Sequence, residues 1–127
     1  MRGCQVMVKD FDGLEVYKMA EGLTKLVYDL TKGFPEEEKF NIVSQLRRAV
    51  TSIGANIAEG YGRFHYKENV QFCRQARGSL AEVKHFLILS KELKYVPESK
   101  YLDFLEKYEN LKIRLNNYIK SIGKRNI

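Results

Sequence analysis

Apolar residues recur every three or four positions through four segments of the chain. This spacing places them on one face of an α-helix, and no segment alternates with the period of two that is typical of a β-strand. Gly33, Pro35, Gly60, Gly62 and Pro97 punctuate the segments, at positions where glycine ends a helix or proline begins one. The pattern therefore predicts four helices, over about residues 13–32, 35–60, 66–94 and 97–123.

The predicted helices are long and the connections between them are short. Neighbouring helices joined by a few residues pack antiparallel, so the sequence predicts an all-α, up-down-up-down antiparallel four-helix bundle. A chain of 127 residues has the length of one domain. We therefore expect residues 12–127 to form a single bundle and residues 1–11 to form a short N-terminal arm.

A polar stripe lies beside the apolar face of the second predicted helix. On a helical wheel it occupies the edge of the core, and polar residues of the third predicted helix border the apolar face of that helix in the same way. We therefore predict a partly buried polar seam between these helices. Because burying an unpaired charge is costly, Arg48 is expected to pair with Glu82 or Glu68. The seam comprises Gln45, Arg48, Ser52, Asn56 and Glu59 from the second helix and Glu68 and Glu82 from the third, with Gln75 and Ser79 on the same flank.

The opposite wall of the second helix is built from small residues. Such side chains permit another backbone to approach closely, and close packing would explain a glycine in the middle of a helix, which costs about 1 kcal/mol relative to alanine. A helix with little strongly polar surface is usually covered by more than one neighbour. The wall therefore favours self-association, and its members are Ser44, Thr51, Gly54, Ala55 and Ala58.

Positive charge belongs mainly to the second half of the chain. The formal net charge is +6, and residues 61–127 carry fourteen Lys and Arg against seven Asp and Glu, a net +7. Five basic residues of the third helix form an arc of about 120° roughly opposite its apolar face: Lys67, Arg74, Arg77, Lys84 and Lys91. Such a surface is typical of proteins that bind phosphates or an acidic partner, although a solvated basic face has the same composition. The candidate nucleic-acid contacts are Arg63, Lys67, Arg74, Arg77, Lys84, Lys91, Lys112, Arg114, Lys120, Lys124 and Arg125.

The turn after the second predicted helix allows a structural and a functional interpretation. Asn56, Glu59 and Arg63 are favoured as a helix end held by hydrogen bonds, and a nucleic-acid contact by Arg63 is the alternative. Three aromatic side chains lie nearby. They could stack on bases, but packing across the end of the bundle is the favoured interpretation. They are Tyr61, Phe64 and Tyr66.

The sequence gives no signature of catalysis or of a cofactor. Cys4, Cys73, His65 and His85 fit no metal-ligand spacing, and no Ser/His/Asp or Cys/His grouping is evident. Cys73 is interpreted as a small buried side chain. We therefore expect a protein that is not an enzyme and that holds no metal, cofactor or small-molecule substrate.

The sequence also predicts where the protein resides. Its N-terminus, MRGCQVMVKDF, has no apolar run of the length found in signal peptides, and no window approaches the roughly 20 apolar residues of a membrane span. We expect a cytoplasmic protein with no membrane partner.

Three stretches carry a family resemblance: FDGLEVYKMAEGLTKLVYDLTKGFP at residues 11–35, QLRRAVTSIGANIAEGYGR at 45–63, and Glu68 and Phe72 followed by GSLAEV at 78–83. Over residues 11–96 the chain resembles the four-helix-bundle family of 23S rRNA intervening-sequence proteins. Beyond Pro97 the agreement is limited to helical character. That family is similar in fold to the accessory variability determinant of diversity-generating retroelements, a basic bundle that forms barrel-like homopentamers and works with a reverse transcriptase and its template RNA.

The resemblance implies a non-enzymatic, homopentameric bundle with a nucleic-acid role and a reverse transcriptase as a partner. The basic second half of the chain agrees with that implication. The sequence therefore favours a basic oligomeric accessory protein that binds RNA or DNA. A protein-interaction scaffold whose basic face docks an acidic partner protein is the alternative.

Overall fold

Four α-helices account for most of residues 8–124, the part of the chain that the computed structural model describes. The predicted all-α four-helix bundle is confirmed, and residues 8–124 contain no strand. Residues 1–7 of the predicted arm and the candidate contact Arg125 lie outside the described residues. The helices are α1 (Glu15–Thr31), α2 (Ile42–Tyr61), α3 (Tyr66–Glu92) and α4 (Glu98–Lys124).

The helices alternate in direction around the bundle. Each packs against its neighbours in the chain, and α4 returns to pack against α1. Thr24 of α1 lies 3.3 Å from the Val50 carbonyl oxygen of α2, whereas Thr31 meets Arg47, so later residues of α1 meet earlier residues of α2. The other neighbouring pairs run in the same opposed order. Ser52 and Gly60 of α2 meet Ser79 and Asn69 of α3. Arg77 and Lys91 of α3 meet Asn116 and Tyr101 of α4. Glu15 of α1 meets Arg114 of α4, whereas Leu23 lies beside Lys107. This is the predicted up-down-up-down arrangement.

The start of α2 differs from the prediction. Pro35 precedes a separate 3-10 turn, Glu36–Glu38, and α2 begins at Ile42. Asn41, with φ −127° and ψ −106°, lies outside the helical region and separates the turn from the helix. The prediction of one helix over residues 35–60 was therefore wrong in its first residues, because the proline and the carboxylates start a short turn that does not continue.

The other helix ends lie within two residues of their predicted positions. A 3-10 turn over Phe11–Gly13 precedes α1, so α1 begins at Glu15 and not at residue 13. Gly60 lies inside α2, which continues to Tyr61. The apolar stripes of the helices meet in one core, in which the largest fully buried side chains include Leu23, Leu46, Ile53, Ile57, Leu80, Leu87, Phe104, Leu111 and Leu115.

The small-residue wall of α2 packs against α1 at its centre. Gly54 is buried, and a Cβ atom at this position would lie 3.4 Å from a ring carbon of Tyr17. The close approach predicted at Gly54 thus takes place within one chain, whereas Thr51 and Ala55 are exposed. The wall alone therefore does not require a second copy. None of the helices between residues 8 and 124 has the length and apolarity needed to cross a membrane.

Candidate nucleic-acid interface

The predicted polar seam between α2 and α3 is reduced to one hydrogen bond between uncharged side chains. The hydroxyl oxygens of Ser52 and Ser79 lie 2.6 Å apart, and the Asn56 side chain donates to the Ser52 carbonyl at 2.9 Å. All three are half-buried. Asn56 bonds within α2, so within residues 8–124 Ser52 is the member of the α2 stripe that hydrogen-bonds to α3.

The charged members of the predicted seam lie in solvent. Arg48 is exposed, and within residues 8–124 it forms no ion pair with Glu82 or Glu68. The prediction of a buried, paired Arg48 was therefore wrong. Desolvating a guanidinium is costly, and Arg48 lies farther around α2 from the core than Ser52 does. The remaining exposed members are Gln45, Glu59, Glu68 and Glu82.

Arg47, the neighbour of Arg48 in the sequence, is the α2 arginine that hydrogen-bonds to another helix. Arg47 Nε donates to Thr31 Oγ1 at 3.0 Å, and its Nη2 donates to the Tyr28 carbonyl at 3.4 Å. Its guanidinium carbon lies 4.5 Å from the centre of the Tyr28 ring. Arg47 therefore ties α2 to the last turn of α1. This role was not predicted from the sequence, although the position of Arg47 beside the small-residue wall on the helical wheel was a signal for it.

Two candidate contacts are neutralised by carboxylates. Arg63 lies 2.7 Å from Glu59, and its guanidinium stacks 4.8 Å from the centre of the Phe72 ring. Arg114 lies 2.6 Å from Glu15 of α1, on the side of α4 away from α3. The contacts of Arg63 thus agree with its favoured interpretation as part of a helix end held by hydrogen bonds. Both pairs are exposed and each contributes little stability, but they lower the positive charge at their positions.

Three of the five basic residues in the predicted arc of α3 face α4. Arg77 donates to Asn116 Oδ1 at 2.8 Å, and Lys84 Nζ lies 4.9 Å from the centre of the Tyr108 ring. Lys91 Nζ lies 4.7 Å from a second tyrosine ring of α4. Residues seven apart on a helix return to within about 20° of one another. The arc therefore borders the groove between α3 and α4 and does not lie opposite the apolar face of α3 as predicted.

Exposed positive charge concentrates where α3 begins and α4 ends. Because the two helices are antiparallel, these segments lie at the same end of the bundle. Lys67 and Arg74 of α3 and Lys120 and Lys124 of α4 are exposed, and within residues 8–124 none of them has an ion pair. Beyond Glu109, α4 carries no acidic residue. We call this surface the basic end, and it comprises Lys67, Arg74, Lys120 and Lys124. Arg77 and Lys112 are also exposed but lie near the middle of their helices, and Lys112 Nζ lies 5.9 Å from the centre of the Tyr108 ring.

A family model described as 23S rRNA-intervening sequence protein matches residues 12–117. The chain belongs to this family. The match spans α1, α2 and α3 and extends through most of α4, which is farther than the resemblance recognised from the sequence motifs. For this member of the 23S rRNA-intervening sequence protein family, the match includes Lys67 and Arg74 of the basic end, whereas Lys120 and Lys124 lie beyond the matched residues.

A solved structure has the same fold as this 23S rRNA-intervening sequence protein. It is a protein of unknown function from the S23 ribosomal protein family of Bacteroides thetaiotaomicron, with a TM-score of 0.76 and 23% sequence identity. The alignment covers 83% of this chain and 98% of that one. At this identity the similarity shows the fold alone. No curated protein has a matching sequence.

Two aromatic side chains at the turn between α2 and α3 are exposed in this family member. Phe64 is 90% exposed and Tyr66 is 44% exposed, whereas Tyr61 is half-buried. The favoured interpretation, in which all three pack across the end of the bundle, was therefore wrong for Phe64. Phe64 follows α2 and makes its ring contact with the neighbouring His65, at 5.0 Å between centroids, so no helix covers it.

Side chains of the types that bind metals are scattered over the described residues. Glu82 and His85 lie three residues apart on α3, but a di-iron bundle needs such a pair on each of two helices. Within residues 8–124 no three His, Cys, Asp or Glu side chains lie close enough together to hold a metal ion. Cys73 is fully buried, and burial raises the pKa of its thiol to about 11, which disfavours the thiolate that a metal would need.

Proposed function

We propose that this chain is a non-enzymatic, homo-oligomeric accessory protein that binds the phosphate backbone of RNA or DNA through the basic end. The observation that carries the proposal is the exposure of Lys67, Arg74, Lys120 and Lys124 without a carboxylate partner within residues 8–124. An unpaired cation is available to a phosphate, and release of counterions from phosphates supplies most of non-specific nucleic-acid affinity.

The binding proposed here is to backbone and shape. Contacts to phosphates position a protein on a nucleic acid but do not read its sequence. Contacts within the α3–α4 groove hold Arg77 on Asn116 and Lys84 on the Tyr108 ring. The positive side chains at the ends of the two helices are therefore freer to bind phosphates. We therefore expect affinity that falls steeply with salt and depends weakly on sequence.

The proposed assembly is a homopentamer, the state that the family resemblance implies. Repetition of the basic end in each subunit would raise the affinity for one long strand without any new contact. Exposed aliphatic side chains on α3, at its C-cap and on α4 support contact between copies: Ile88, Leu89, Leu93, Leu102 and Ile113. Light scattering tests the assembly. A mass near five times the 14.8 kDa of one chain is expected, and a monomer mass at micromolar concentration would contradict it.

The proposed setting is the cytoplasm, beside a reverse transcriptase and its template RNA. This partnership is the one that the resemblance implies for the related accessory variability determinant. Co-purification of the chain with a reverse transcriptase encoded next to it tests the setting. An acidic partner protein is the competing occupant of the basic end. A complex with such a protein would survive nuclease, whereas a complex bridged by RNA would not.

A salt titration with matched charge variants tests the nucleic-acid role. The test variant is Lys67→Gln/Arg74→Gln/Lys120→Gln. The control variant removes three exposed positive charges elsewhere, from Lys18, Lys25 and Lys100, so both variants have the same net charge. Anisotropy of a labelled structured RNA is measured between low and physiological salt. For single-stranded segments each lost phosphate contact lowers the slope of log K against log salt by about 0.7, so the test variant should lose about 2 units.

The two variants separate a local surface from a general charge effect. The proposal expects the control variant to keep nearly the full slope and affinity. Equal losses in the two variants would show that only net charge matters and would contradict a defined basic end. Absence of binding by the unmodified protein at low salt would remove the nucleic-acid role altogether.

A further inference from the structure

Two aromatic side chains at the turn beside the basic end are exposed and not buried in the core. Phe64 is 90% exposed and Tyr66 is 44% exposed. Leaving a phenyl ring in water forgoes about 1.5–3 kcal/mol of burial free energy. The neighbouring ring, His65, meets Phe64 edge-on and is itself exposed. The face of the Phe64 ring is therefore available to another flat group.

Tyr66 opens onto a shallow groove of mixed polarity. The groove joins the first turns of α3 to the end of α4, where Gly123 carries no side chain that could block it. Lys67 and Arg74 bring positive charge to its wall, and Lys124 follows Gly123 directly. The lining residues are Tyr66, Lys67, Val70, Gln71, Arg74 and Gly123.

We propose that Phe64 and Tyr66 stack on the bases of a single strand whose phosphates lie along Lys67 and Arg74. The inference rests on the proposed nucleic-acid function and names the form of the ligand. Aromatic rings beside a positively charged groove are the usual elements of single-strand binding, because every base offers a flat face and every linkage a phosphate. The bases of a duplex are already stacked and paired, so their faces cannot reach Phe64.

Exposure of an aromatic ring alone would not distinguish this site, because Phe40 is 89% exposed as well. Phe40 precedes α2 and Phe64 follows it, so the 20-residue helix holds them at opposite ends of the bundle, about 30 Å apart. The segment before Phe40 contains Glu36, Glu37 and Glu38. Lys39 Nζ lies 5.5 Å from the centre of the Phe40 ring, but the three carboxylates leave the segment with a net negative charge that repels phosphates. Charge complementarity therefore selects the Phe64 end, and Phe40 is a matched control.

A tryptophan reporter gives the most direct test, because the chain contains no tryptophan. Phe64→Trp and Phe40→Trp are each titrated with a single-stranded RNA of about 12 nucleotides, within the usual range of single-strand sites. The same RNA annealed to its complement and an abasic strand of equal length serve as comparisons. Stacking predicts quenching of the Trp at position 64 by the single strand, weaker quenching by the duplex and the abasic strand, and no quenching at position 40.

Phe64→Ala supplies the energetic test. Loss of one stacked base should weaken binding of the single strand about fivefold or more. The slope of log K against log salt should be unchanged, because no charge is removed. Affinities for the duplex and for the abasic strand should match those of the unmodified protein. The exposed position makes misfolding unexpected, and circular dichroism and light scattering of the variant check its helicity and mass.

The outcomes separate this inference from the proposed function. If Phe64→Ala binds the single strand as tightly as the unmodified protein while the charge variant loses its salt slope, the stacking site is excluded and the nucleic-acid role stands. If Phe64→Ala lowers the mass of the assembly, Phe64 is a contact between copies and the inference is wrong. If the unmodified protein binds no strand at low salt, both proposals fail.

Discussion

Gly60 of α2 lies so close to Asn69 of α3 that a Cβ atom at position 60 would be 2.6 Å from Asn69 Oδ1. The same atom would lie 3.0 Å from the Asn69 carbonyl oxygen and 3.0 Å from Phe72 Cβ. Real Cβ atoms do not approach other atoms to 2.6 Å, so a larger residue would push the helices apart. The absence of a side chain at Gly60 thus fixes the distance at which the end of α2 meets the beginning of α3.

Gly60→Ala should lower the free energy of unfolding by about 1–3 kcal/mol, the usual cost of overpacking a tight contact. Gly78→Ala is the matched control, because Gly78 lies in the interior of α3 with no atom within 4 Å of a Cβ at that position. The control should gain about 0.5–1 kcal/mol from the better helix propensity of alanine. Urea unfolding measures both, and a stabilised Gly60→Ala would contradict the close approach.

Cys73 should react with thiol reagents only when the protein unfolds. The side chain is fully buried, and burial raises the pKa of the thiol to about 11, so little thiolate forms at neutral pH. In a Cys4→Ser background Cys73 is the remaining cysteine. We expect labelling by a chromogenic disulfide to be slow in buffer and complete in denaturant. Rapid labelling in buffer would show that the α2–α3 side of the core opens.

Helix position was predictable from the sequence because it depends on local periodicity. The α3 and α4 ranges agree to within two residues, since the same stripes that predict the helices are buried in the core. The fate of residues at the edge of a stripe was not predictable in the same way. Arg47 and Arg48 are adjacent in sequence, yet Arg47 contacts Thr31 and Arg48 is exposed.

The difference between the two arginines depends on where the neighbouring helices lie. One residue rotates a side chain by about 100° around a helix, so Arg47 turns toward α1 while Arg48 turns outward. A helical wheel gives these angles but not the direction of each neighbour. The candidate site had the same difficulty, because the arc on α3 was visible from the sequence whereas the tyrosine rings of α4 that hold Lys84 and Lys91 were not.

The hydrogen bond between Ser52 and Ser79 should couple α2 and α3 energetically. A double-mutant cycle with Ser52→Ala and Ser79→Ala isolates their interaction from the helix propensity of alanine. We expect a coupling energy of about 0.5–1.5 kcal/mol. Arg48→Ala should change stability by no more than about 0.5 kcal/mol. A loss of about 3–5 kcal/mol in that variant would instead indicate a buried, paired arginine.

Stability above about pH 9 should depend on the contact between Tyr95 and Glu38. The Tyr95 hydroxyl donates to Glu38 Oε2 at 2.8 Å, and the other carboxylate oxygen of Glu38 is buried without a partner among residues 8–124. This hydrogen bond, followed by burial and the charges of Glu38 and Glu37, raises the pKa of Tyr95. The folded state therefore favours the neutral phenol.

The raised pKa fixes the direction of the pH effect. Its contribution to stability is fully present below the ordinary tyrosine pKa of about 10 and is lost as the pH rises through the raised value. Tyr95→Phe and Glu38→Gln should each lower the free energy of unfolding near neutral pH and reduce its decline between about pH 9 and pH 11. Tyr17, whose pKa is raised by burial and by neighbouring carboxylates, remains in every variant, so the differences between curves are compared. Urea unfolding at intervals across this range is the measurement. If the free energy of unfolding declined in parallel in the unmodified protein and both variants, the Glu36–Glu38 turn would not be held through Tyr95.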